Sequence, residues 1–404
     1  MRDTPKRSNA PLVSLRHFLA KGSRQKFNTG TVMNKLLSAF SLVSIASCTS
    51  SFANADELPF NLSGHVRVNY GHQDWQIPEF RDGFEFESFK LGVSGESDQF
   101  SYKAEYRWYE NTDFDTVRFA DLTYHFDEQT EITAGITQTP FGLQPFASNN
   151  FWFSVNYYLG FEDDYDAGVK INHDWGNWDF QAAYFMNDEY NDAAEFGRYS
   201  FDVADDGEYR NKEDGQYNLR ANYTANFIRG GTTDIGVSYQ YGNILNLDTL
   251  DDGDMNAYAV HMRHTQGDLK VELQYIDYEY DLAAPEGQAD DRIALSSFTF
   301  PFLAAADGKT YSANLVYSVP YKFTHIESLT CYSEYSVAKG EGSEGKSSSQ
   351  WINGCSFGWD KLFVYVDSIQ GKNMWFSGGP GVGLDLGGRQ ETTHRLNINL
   401  GIYF

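Results

Sequence analysis

Hydrophobic and polar residues alternate one by one along most of the chain between Phe60 and Phe404. Successive side chains of a β-strand point to opposite faces, so this pattern predicts strands with one apolar and one polar face. In the first segment Arg67 fixes the phase, because a shift of one residue would move its charge onto the apolar face. The apolar face of that segment consists of Phe60, Leu62, Gly64, Val66, Val68 and Tyr70.

Sixteen segments carry this pattern, and their connections alternate between short turns and long loops. Ser97–Gln99 is one of the turns, and 138–164 is one of the loops. This alternation is typical of an up-and-down barrel whose short turns face the periplasm. We therefore predict an all-β fold, a transmembrane antiparallel β-barrel of about 16 strands that forms a single domain over residues 56–404. The predicted strands are 60–73, 85–96, 100–109, 117–126, 131–137, 165–174, 178–185, 216–225, 233–241, 256–264, 269–278, 310–319, 327–337, 350–358, 362–368 and 392–404.

The composition agrees with strands better than with membrane helices. A mean hydropathy of -0.51 is low for a membrane protein, but a barrel strand needs only one apolar face. No apolar run after residue 55 reaches the roughly 20 residues that a spanning helix requires. The alternative is a soluble all-β protein such as a sandwich or a lectin. The outward Phe, Tyr and Trp residues favour the barrel, because such residues form girdles at both membrane interfaces.

The first 55 residues predict a targeting segment. Met33 begins a short basic stretch, Leu36–Ala46 is mostly apolar, and the Ala-Asn-Ala sequence at 53–55 matches a signal-peptide cleavage site. We expect residues 1–55 to comprise an N-terminal extension plus a signal peptide, with translation starting at Met33. An unusually long leader is one alternative, and a lipid anchor at Cys48 is another.

The mature chain is strongly acidic. Residues 1–55 hold eight basic residues and one acidic residue, so residues 56–404 hold 23 basic and 55 acidic residues and a net charge of -32. Such a chain excludes nucleic acid as a partner, because nucleic-acid binding needs a basic footprint. Together with the export signal and the barrel, it predicts a protein of the Gram-negative outer membrane, in contact with membrane lipid and lipopolysaccharide.

Two parts of the chain resemble outer-membrane porins. The last strand has an apolar residue at every second position before the terminal Phe404, which is similar to the assembly signature of porins. Residues 134–143, Ala-Gly-Ile-Thr-Gln-Thr-Pro-Phe-Gly-Leu, and Ala167–Lys170 resemble the phosphate-selective porin O/P family around its pore loop. The resemblance implies a water-filled lumen, a homotrimer, and recognition of Phe404 by the barrel assembly machinery.

The third long loop is unusually aromatic for a surface loop. Its aromatic content and the porin resemblance together predict that it folds into the barrel and narrows the pore. The alternative is a surface loop that a partner subunit shields. The loop contains no Lys or Arg and ends in three acidic residues. The predicted constriction residues are Phe141, Phe146, Trp152, Tyr157, Glu162, Asp163 and Asp164.

The strand phases also predict which charges face the lumen. Bases and acids are near balance there, and the acidic excess lies in the loops and at the mouth, where it enriches cations. We therefore expect a passive diffusion channel for small hydrophilic solutes that is weakly cation-preferring or unselective. The alternatives are a phosphate- or anion-selective porin and a non-channel barrel with an adhesive, structural or enzymatic role. The main predicted lumen charges are Arg67, Lys103, Arg107, Lys170, Arg220, Arg263, Arg395, Glu105 and Asp121.

Cys331 and Cys355 fall on the outward phase of neighbouring strands, at equal distances from the middle of the loop between them. In a symmetric hairpin the two residues lie directly opposite each other, which predicts a disulfide. The alternative is two free thiols that are offset by a slip of register.

No catalytic or metal-binding set is predicted. The chain has no G-x-S-x-G motif and no His/Cys metal spacing, and the inward-facing His65, His125 and His261 lie on separate strands. Asp202–Glu213 partly matches a calcium loop, but Ala204 stands where an oxygen ligand is required. We expect no enzymatic activity, no cofactor and no metal site, while calcium binding by the acidic loops stays open.

Overall fold

The computed structural model describes residues 60–404 except 111, 227–229, 321–323, 375, 377, 378, 380 and 388–390. The expected start at Met33, the signal peptide and its cleavage site lie outside the described residues. Helix is scarce in the described part, which contains the α-helix Pro78–Arg81 and the 3-10 helix Tyr157–Leu159. No helix among these residues is long and apolar enough to cross a membrane.

Sixteen strands of the described residues close into one barrel. Each strand pairs antiparallel with its neighbours in sequence, and the last strand pairs with the first, from His65 opposite Tyr403 to Gln73 opposite Arg395. Closure leaves the sheet without an exposed edge. The strands are β1 Asn61–Gln73, β2 Asp82–Glu96, β3 Phe100–Tyr109, β4 Phe114–His125, β5 Thr130–Gln138, β6 Tyr165–Trp175, β7 Trp178–Asn187, β8 Tyr209–Asn226, β9 Gly231–Asn246, β10 Asp252–Gln266, β11 Leu269–Asp281, β12 Asp307–Ser318, β13 Ser328–Gly340, β14 Ser347–Trp359, β15 Leu362–Lys372 and β16 Thr393–Tyr403.

Every predicted strand has a counterpart in the structure, which confirms the predicted all-β barrel. The strand ends differ mainly on the side of the long loops: β8 begins at Tyr209 rather than at 216, and β11 ends at Asp281 rather than at 278. The ladder hydrogen bonds therefore continue beyond the segments of regular apolar alternation. The structure also contains a hairpin, Arg292–Ser297 paired with Phe300–Ala305, within a stretch that the sequence pattern assigned to a loop.

The exposure of side chains alternates along the strands as the predicted phases require. In β1, Val66 is 38% exposed while His65 is 1% exposed. A continuous set of exposed apolar side chains around a closed barrel matches the lipid-facing band of a membrane barrel. Members of this outer set include Leu62, Ile171, Leu219, Ile235, Val260, Leu273, Leu315 and Ile402.

The apolar core is formed largely by long loops together with the strand ends near them. Three loops contribute, defined as L3 (139–164), L4 (188–208) and L6 (282–306). Phe141 of L3, Phe201 of L4 and Leu295 of L6 are buried in one cluster with Ile244 of β9. Two residues of L4 also pair with the L6 hairpin as a short strand. The loops are therefore packed against one another and against the wall.

Candidate functional site

L3 is folded into the barrel and hydrogen-bonded to its inner wall. Near the start of the loop, the N–H groups of Gly142 and Leu143 donate to Ser238 Oγ at 3.1 Å and to Gln274 Oε1 at 2.6 Å. A Cβ on Gly142 would meet Gln274 Oε1 at 2.5 Å, and the φ of this residue is +59°. Only glycine combines that backbone conformation with so close an approach. The predicted inward fold of the third long loop is confirmed.

Glu334 of β13 anchors the middle of L3. Its carboxylate accepts hydrogen bonds from the Asn149 N–H at 2.8 Å, from Asn149 Nδ2 at 2.7 Å and from the Asn150 N–H at 3.2 Å. On β15, Asp367 accepts from the Phe151 N–H at 3.2 Å. These wall carboxylates provide partners for loop N–H groups that are removed from water.

Arg220 and Arg263, two of the predicted lumen charges, hold L3 in place. Neither lines the cavity that remains between L3 and the wall. Arg220 Nε donates to a carbonyl of the loop at 2.9 Å, and Arg263 donates to two more at 2.9 and 3.1 Å. Each guanidinium is also paired with a wall carboxylate, Asp179 at 2.7 Å and Glu272 at 2.6 Å respectively. Both guanidinium groups are therefore occupied by contacts with loop carbonyls and wall carboxylates.

A cavity of about 360 Å³ remains between L3 and the part of the wall formed by β1 to β4, β15 and β16. L3 gives it an aromatic side, the wall gives it a charged side, and Tyr199, Phe201 and Phe298 come from L4 and L6. Its aromatic residues from L3 include Phe146, Phe151, Trp152, Phe153 and Tyr157. Its charged residues are Arg67, Glu85, Glu87, Arg107, Arg118, Asp163 and Arg395.

Three of the cavity-lining arginines are paired with carboxylates. The pairs are Arg67–Glu87 at 2.6 Å, Arg107–Glu105 at 2.6 Å and Arg118–Asp163 at 2.5 Å. Arg395 differs, because the carbon of its guanidinium lies 4.0 Å from the ring centroid of Trp152 in a cation–π contact. The charged side of the cavity is therefore a set of ion pairs with one guanidinium held on an aromatic ring.

A β-bulge brings Arg118 to this cavity. The register between β3 and β4 shifts after Glu105 and leaves Arg118 without an opposite residue. Counting by twos from the inward-facing Asp121 assigns Arg118 to the lipid side, so the sequence pattern did not identify it. A bulge places one extra residue in a strand and re-aims the side chains beyond it. Arg118 is 9% exposed and borders the cavity.

A second bulge has the same effect on Glu87. The register between β1 and β2 shifts after the pair Arg67–Ser88, and Glu87 is the residue left without an opposite partner. Its carboxylate accepts two hydrogen bonds from Arg67, at 2.6 and 3.1 Å. The bulge thus supplies the counter-charge of a cavity-lining arginine.

Four of the seven predicted constriction residues line the cavity: Phe146, Trp152, Tyr157 and Asp163. Phe141 lies in the apolar core, and Glu162 and Asp164 are buried away from the cavity. Ser154 Oγ donates to Glu162 at 2.6 Å, and burial raises the pKa of the Glu162 carboxyl to about 7. The acidic end of L3 therefore does not form an acidic rim around the opening.

The other predicted lumen charges point into the barrel without bordering this cavity. Lys103 Nζ lies 3.7 Å from Asp121 Oδ2, and Lys170 Nζ donates to the Gln138 carbonyl at 2.9 Å. Glu105 is joined by Lys90 at 2.7 Å in addition to its arginine partner. Lys103, Lys170 and Glu105 therefore each have a polar or charged partner on the wall.

Cys331 and Cys355 lie directly opposite each other in the register of β13 and β14 and are joined by a disulfide, with their Cα atoms 4.0 Å apart. They share the outward phase of the exposed Tyr335 and Trp351. The bridge is therefore on the opposite side of the wall from the cavity.

His65 and Ser88 form a pair that the sequence pattern did not reveal, with His65 Nε2 2.9 Å from Ser88 Oγ. Both residues are at most 1% exposed, and neither lines the cavity. A catalytic histidine also needs a group that orients its second nitrogen, but His65 Nδ1 has no hydrogen-bond partner in the described part of the chain. The pair lacks both the access and the third member of a hydrolase triad.

Solved structures of bacterial outer-membrane proteins share this fold. The trimer form of OmpT from Vibrio cholerae is 13% identical, with a TM-score of 0.52, 85% of this chain covered and 99% of that chain. Salmonella typhi OmpF in complex with daunomycin is 13% identical, with a TM-score of 0.55 and coverage of 85% and 97%. The outer membrane channel DcaP of Acinetobacter baumannii is 11% identical, with a TM-score of 0.53 and coverage of 87% and 99%.

No family model matches the sequence, and no curated protein sequence matches it either. At 11–13% identity the structural likeness establishes the fold, an outer-membrane-type β-barrel. It does not single out the phosphate-selective porin O/P family that residues 134–143 resemble.

Proposed function

We propose that this protein is a porin of the Gram-negative outer membrane, a passive diffusion channel for small hydrophilic solutes. The observation that carries the proposal is L3, which is folded into the barrel and leaves a cavity with an aromatic and a charged side. A loop that only covered the surface would not need wall side chains such as Glu334 and Arg263 as partners for its backbone. The apolar outer face supports the membrane location.

The proposed assembly rests on the porin resemblance of the sequence. We expect a homotrimer, and the OmpT structure from Vibrio cholerae is described as a trimer form. The terminal Phe404 is the element that we expect the barrel assembly machinery to recognise. Cross-linking of purified protein tests the first expectation, and removal of Phe404 tests the second through the amount of folded barrel in outer membranes.

We propose a weak cation preference or none. The pairing of three cavity-lining arginines with carboxylates supports this proposal, because a neutralised guanidinium attracts a passing anion less than a free one. The net charge of the chain is strongly negative, and exposed acidic loops enrich cations near the mouth at low salt. A phosphate trap would need several unpaired bases at the constriction, and L3 contains no Lys or Arg.

Planar-bilayer recording of the purified protein tests the proposal. We expect discrete conductance steps, and a reversal potential near zero or slightly on the cation side under a salt gradient. Absence of steps would favour a barrel with an adhesive, structural or enzymatic role. Strong anion selectivity, or block of chloride current by micromolar phosphate, would show that Arg395 and its neighbours act as an anion site despite the ion pairs.

A further inference from the structure

Three carboxylates from three different segments meet near L4, in a region that the proposed channel does not use. They belong to Asp164 at the end of L3, Asp166 at the start of β6 and Asp202 in L4. One oxygen from each lies within 4.8 Å of the others, and the residues are 7%, 1% and 4% exposed. Folding has therefore placed three acidic groups together and removed them from water.

Each carboxylate has an oxygen that the protein leaves without a hydrogen bond. These oxygens are Asp164 Oδ1, Asp166 Oδ1 and Asp202 Oδ2, all of them buried and without a hydrogen-bond partner among the described residues. Glu189 is a second and separate indication, because it is 7% exposed and its Oε2 also has no partner there. Buried polar atoms are rarely left in this state unless a ligand, an ion or water completes them.

Arg198 brings one positive charge to this group of carboxylates. Arg198 Nη1 donates to Asp188 Oδ2 at 2.5 Å and lies 3.6 Å from Asp202 Oδ2. Its single charge faces six carboxylates in the same region of the chain. These six carboxylates are Asp164, Asp166, Asp188, Glu189, Asp202 and Glu213.

Without a cation beside them, these buried carboxylates would repel one another strongly. The Glu213 and Glu189 carboxylates add their negative charge to that of Asp164 in this buried region. The Glu189 carboxylate likewise repels the charge of Asp202. Uncompensated buried charges are strongly destabilising. A cation that binds here would therefore lower the unfavourable free energy of burying these carboxylates.

We propose that Asp164, Asp166 and Asp202, with Glu189 beside them, form a Ca²⁺ site. Only oxygen ligands are offered, which is the preference of hard cations. Two oxygens on one Ca²⁺, each at about 2.4 Å, can lie up to about 4.8 Å apart, whereas at the Mg²⁺ distance of about 2.1 Å the limit is about 4.2 Å. The three oxygens lie within 4.8 Å of one another, so their spacing is compatible with a shared Ca²⁺.

The sequence pattern at Asp202–Glu213 resembles a local calcium loop only in part, because Ala204 offers no oxygen ligand. The structure instead combines Asp202 with residues of L3 and β6, which lie almost 40 residues earlier in the chain. Contacts already join these segments: the Tyr165 N–H donates to Ser200 Oγ at 2.9 Å, and the Ser200 N–H donates to Glu189 Oε1 at 2.8 Å. A bound ion would fasten L4 to the end of L3.

Binding can be measured directly on the full barrel purified in detergent and stripped with EDTA. Tb³⁺ is a luminescent probe of about the size of Ca²⁺. Tyr165 stands between Asp164 and Asp166 in the sequence, so its ring is near enough to sensitise the emission of bound Tb³⁺. We expect saturable Tb³⁺ emission that Ca²⁺ displaces with a Kd on the order of 10⁻⁴ M or tighter, and that Mg²⁺ displaces at least about tenfold less well. No emission, or displacement by Mg²⁺ as effective as by Ca²⁺, would overturn the assignment.

Matched variants separate a metal site from a structural cluster of protonated acids. Asp202→Asn and Asp166→Asn each remove one ligand charge, and Asp251→Asn makes the same change at an exposed loop residue. We expect Ca²⁺ to raise the thermal stability of the wild type and of Asp251→Asn above that in EDTA. We expect the Asp202→Asn and Asp166→Asn barrels to be at least as stable as the wild type in EDTA, and to bind Ca²⁺ at least about tenfold more weakly.

Two results would overturn the calcium assignment. If the wild type is equally stable in Ca²⁺ and in EDTA, the cluster is not a calcium site. If Asp251→Asn loses as much Ca²⁺ affinity as Asp202→Asn, the ion binds to the general acidic surface and the assignment fails. Should one variant not fold, the other variant and the Tb³⁺ titration of the wild type still decide the question.

Discussion

Arg118 of β4 reaches the end of L3, where its Nη2 lies 2.5 Å from Asp163 Oδ1. The same carboxylate accepts hydrogen bonds from the hydroxyls of Tyr165 at 2.9 Å and Tyr199 at 2.5 Å. Glu105 also lies 3.5 Å from the Arg118 guanidinium. One ion pair therefore connects the wall, L3 and L4 at the edge of the cavity.

Asp163→Asn should leave the charge of Arg118 only partly compensated by Glu105. We expect the ratio of anion to cation permeability to rise by roughly two-fold at low salt, and the effect to weaken as salt screens the exposed charge. Reversal potentials under a salt gradient measure this. Asp251→Asn is the control for the loss of one negative charge, and an equal shift in that variant would contradict a local role for Arg118.

Glu334→Gln should loosen the middle of L3. The substituted amide can accept fewer hydrogen bonds from Asn149 and Asn150, and each bond to the original charge is worth about 1.5–3 kcal/mol. We expect a noisier open channel with a higher mean conductance in single-channel records. Glu131→Gln makes the same change on an inward-facing carboxylate that bonds Asn172 of the wall instead of L3. Identical records from both variants would show that Glu334 does not hold the loop.

Trp152→Ala should widen the cavity and release Arg395 from its aromatic partner. We expect single-channel conductance to increase by tens of per cent, roughly, and the permeability ratio to move toward anions because the guanidinium becomes free. Trp351→Ala is the matched control, since Trp351 is on the outward face and is 45% exposed. A conductance that does not change in Trp152→Ala would place the narrowest part of the path elsewhere.

The double substitution Cys331→Ser with Cys355→Ser should destabilise the barrel without changing its conductance. The two residues are 24 apart in sequence, and closing a loop of that length stabilises a fold by about 3 kcal/mol. Urea unfolding measures the loss of stability in the variant. In the wild type, peptide mapping after thiol labelling should find Cys331 and Cys355 labelled only when a reductant is added. Labelling of either residue in unreduced, denatured protein would contradict the bridge.

The sequence could predict the strands because each carries its own evidence. Arg67 and Val66 cannot exchange faces without placing a charge in lipid, so alternation determines the phase locally. The same reasoning placed Cys331 opposite Cys355, since a symmetric hairpin follows from the positions of its two strands. The aromatic content of L3 likewise indicated a loop that does not belong on the surface.

Alternation fails where a strand contains an extra residue. Arg118 and Glu87 sit at the two bulges beside the cavity, and a count by twos assigns such residues to the wrong face. A bulge depends on pairing with the neighbouring strand, so a single strand's pattern does not contain it. For this reason the sequence pattern did not identify Arg118 and Glu87 as residues that line the cavity.

The sequence alone determined a closed barrel with one lipid-facing side, because apolar alternation is a property of consecutive residues. Only the tertiary structure decided how the interior is used. It removed Glu162 and Asp164 from the opening, paired the wall arginines with carboxylates, and brought Asp202 to Asp166. These relationships join segments that are far apart in the chain, and their energies depend on burial and distance, which no local pattern specifies.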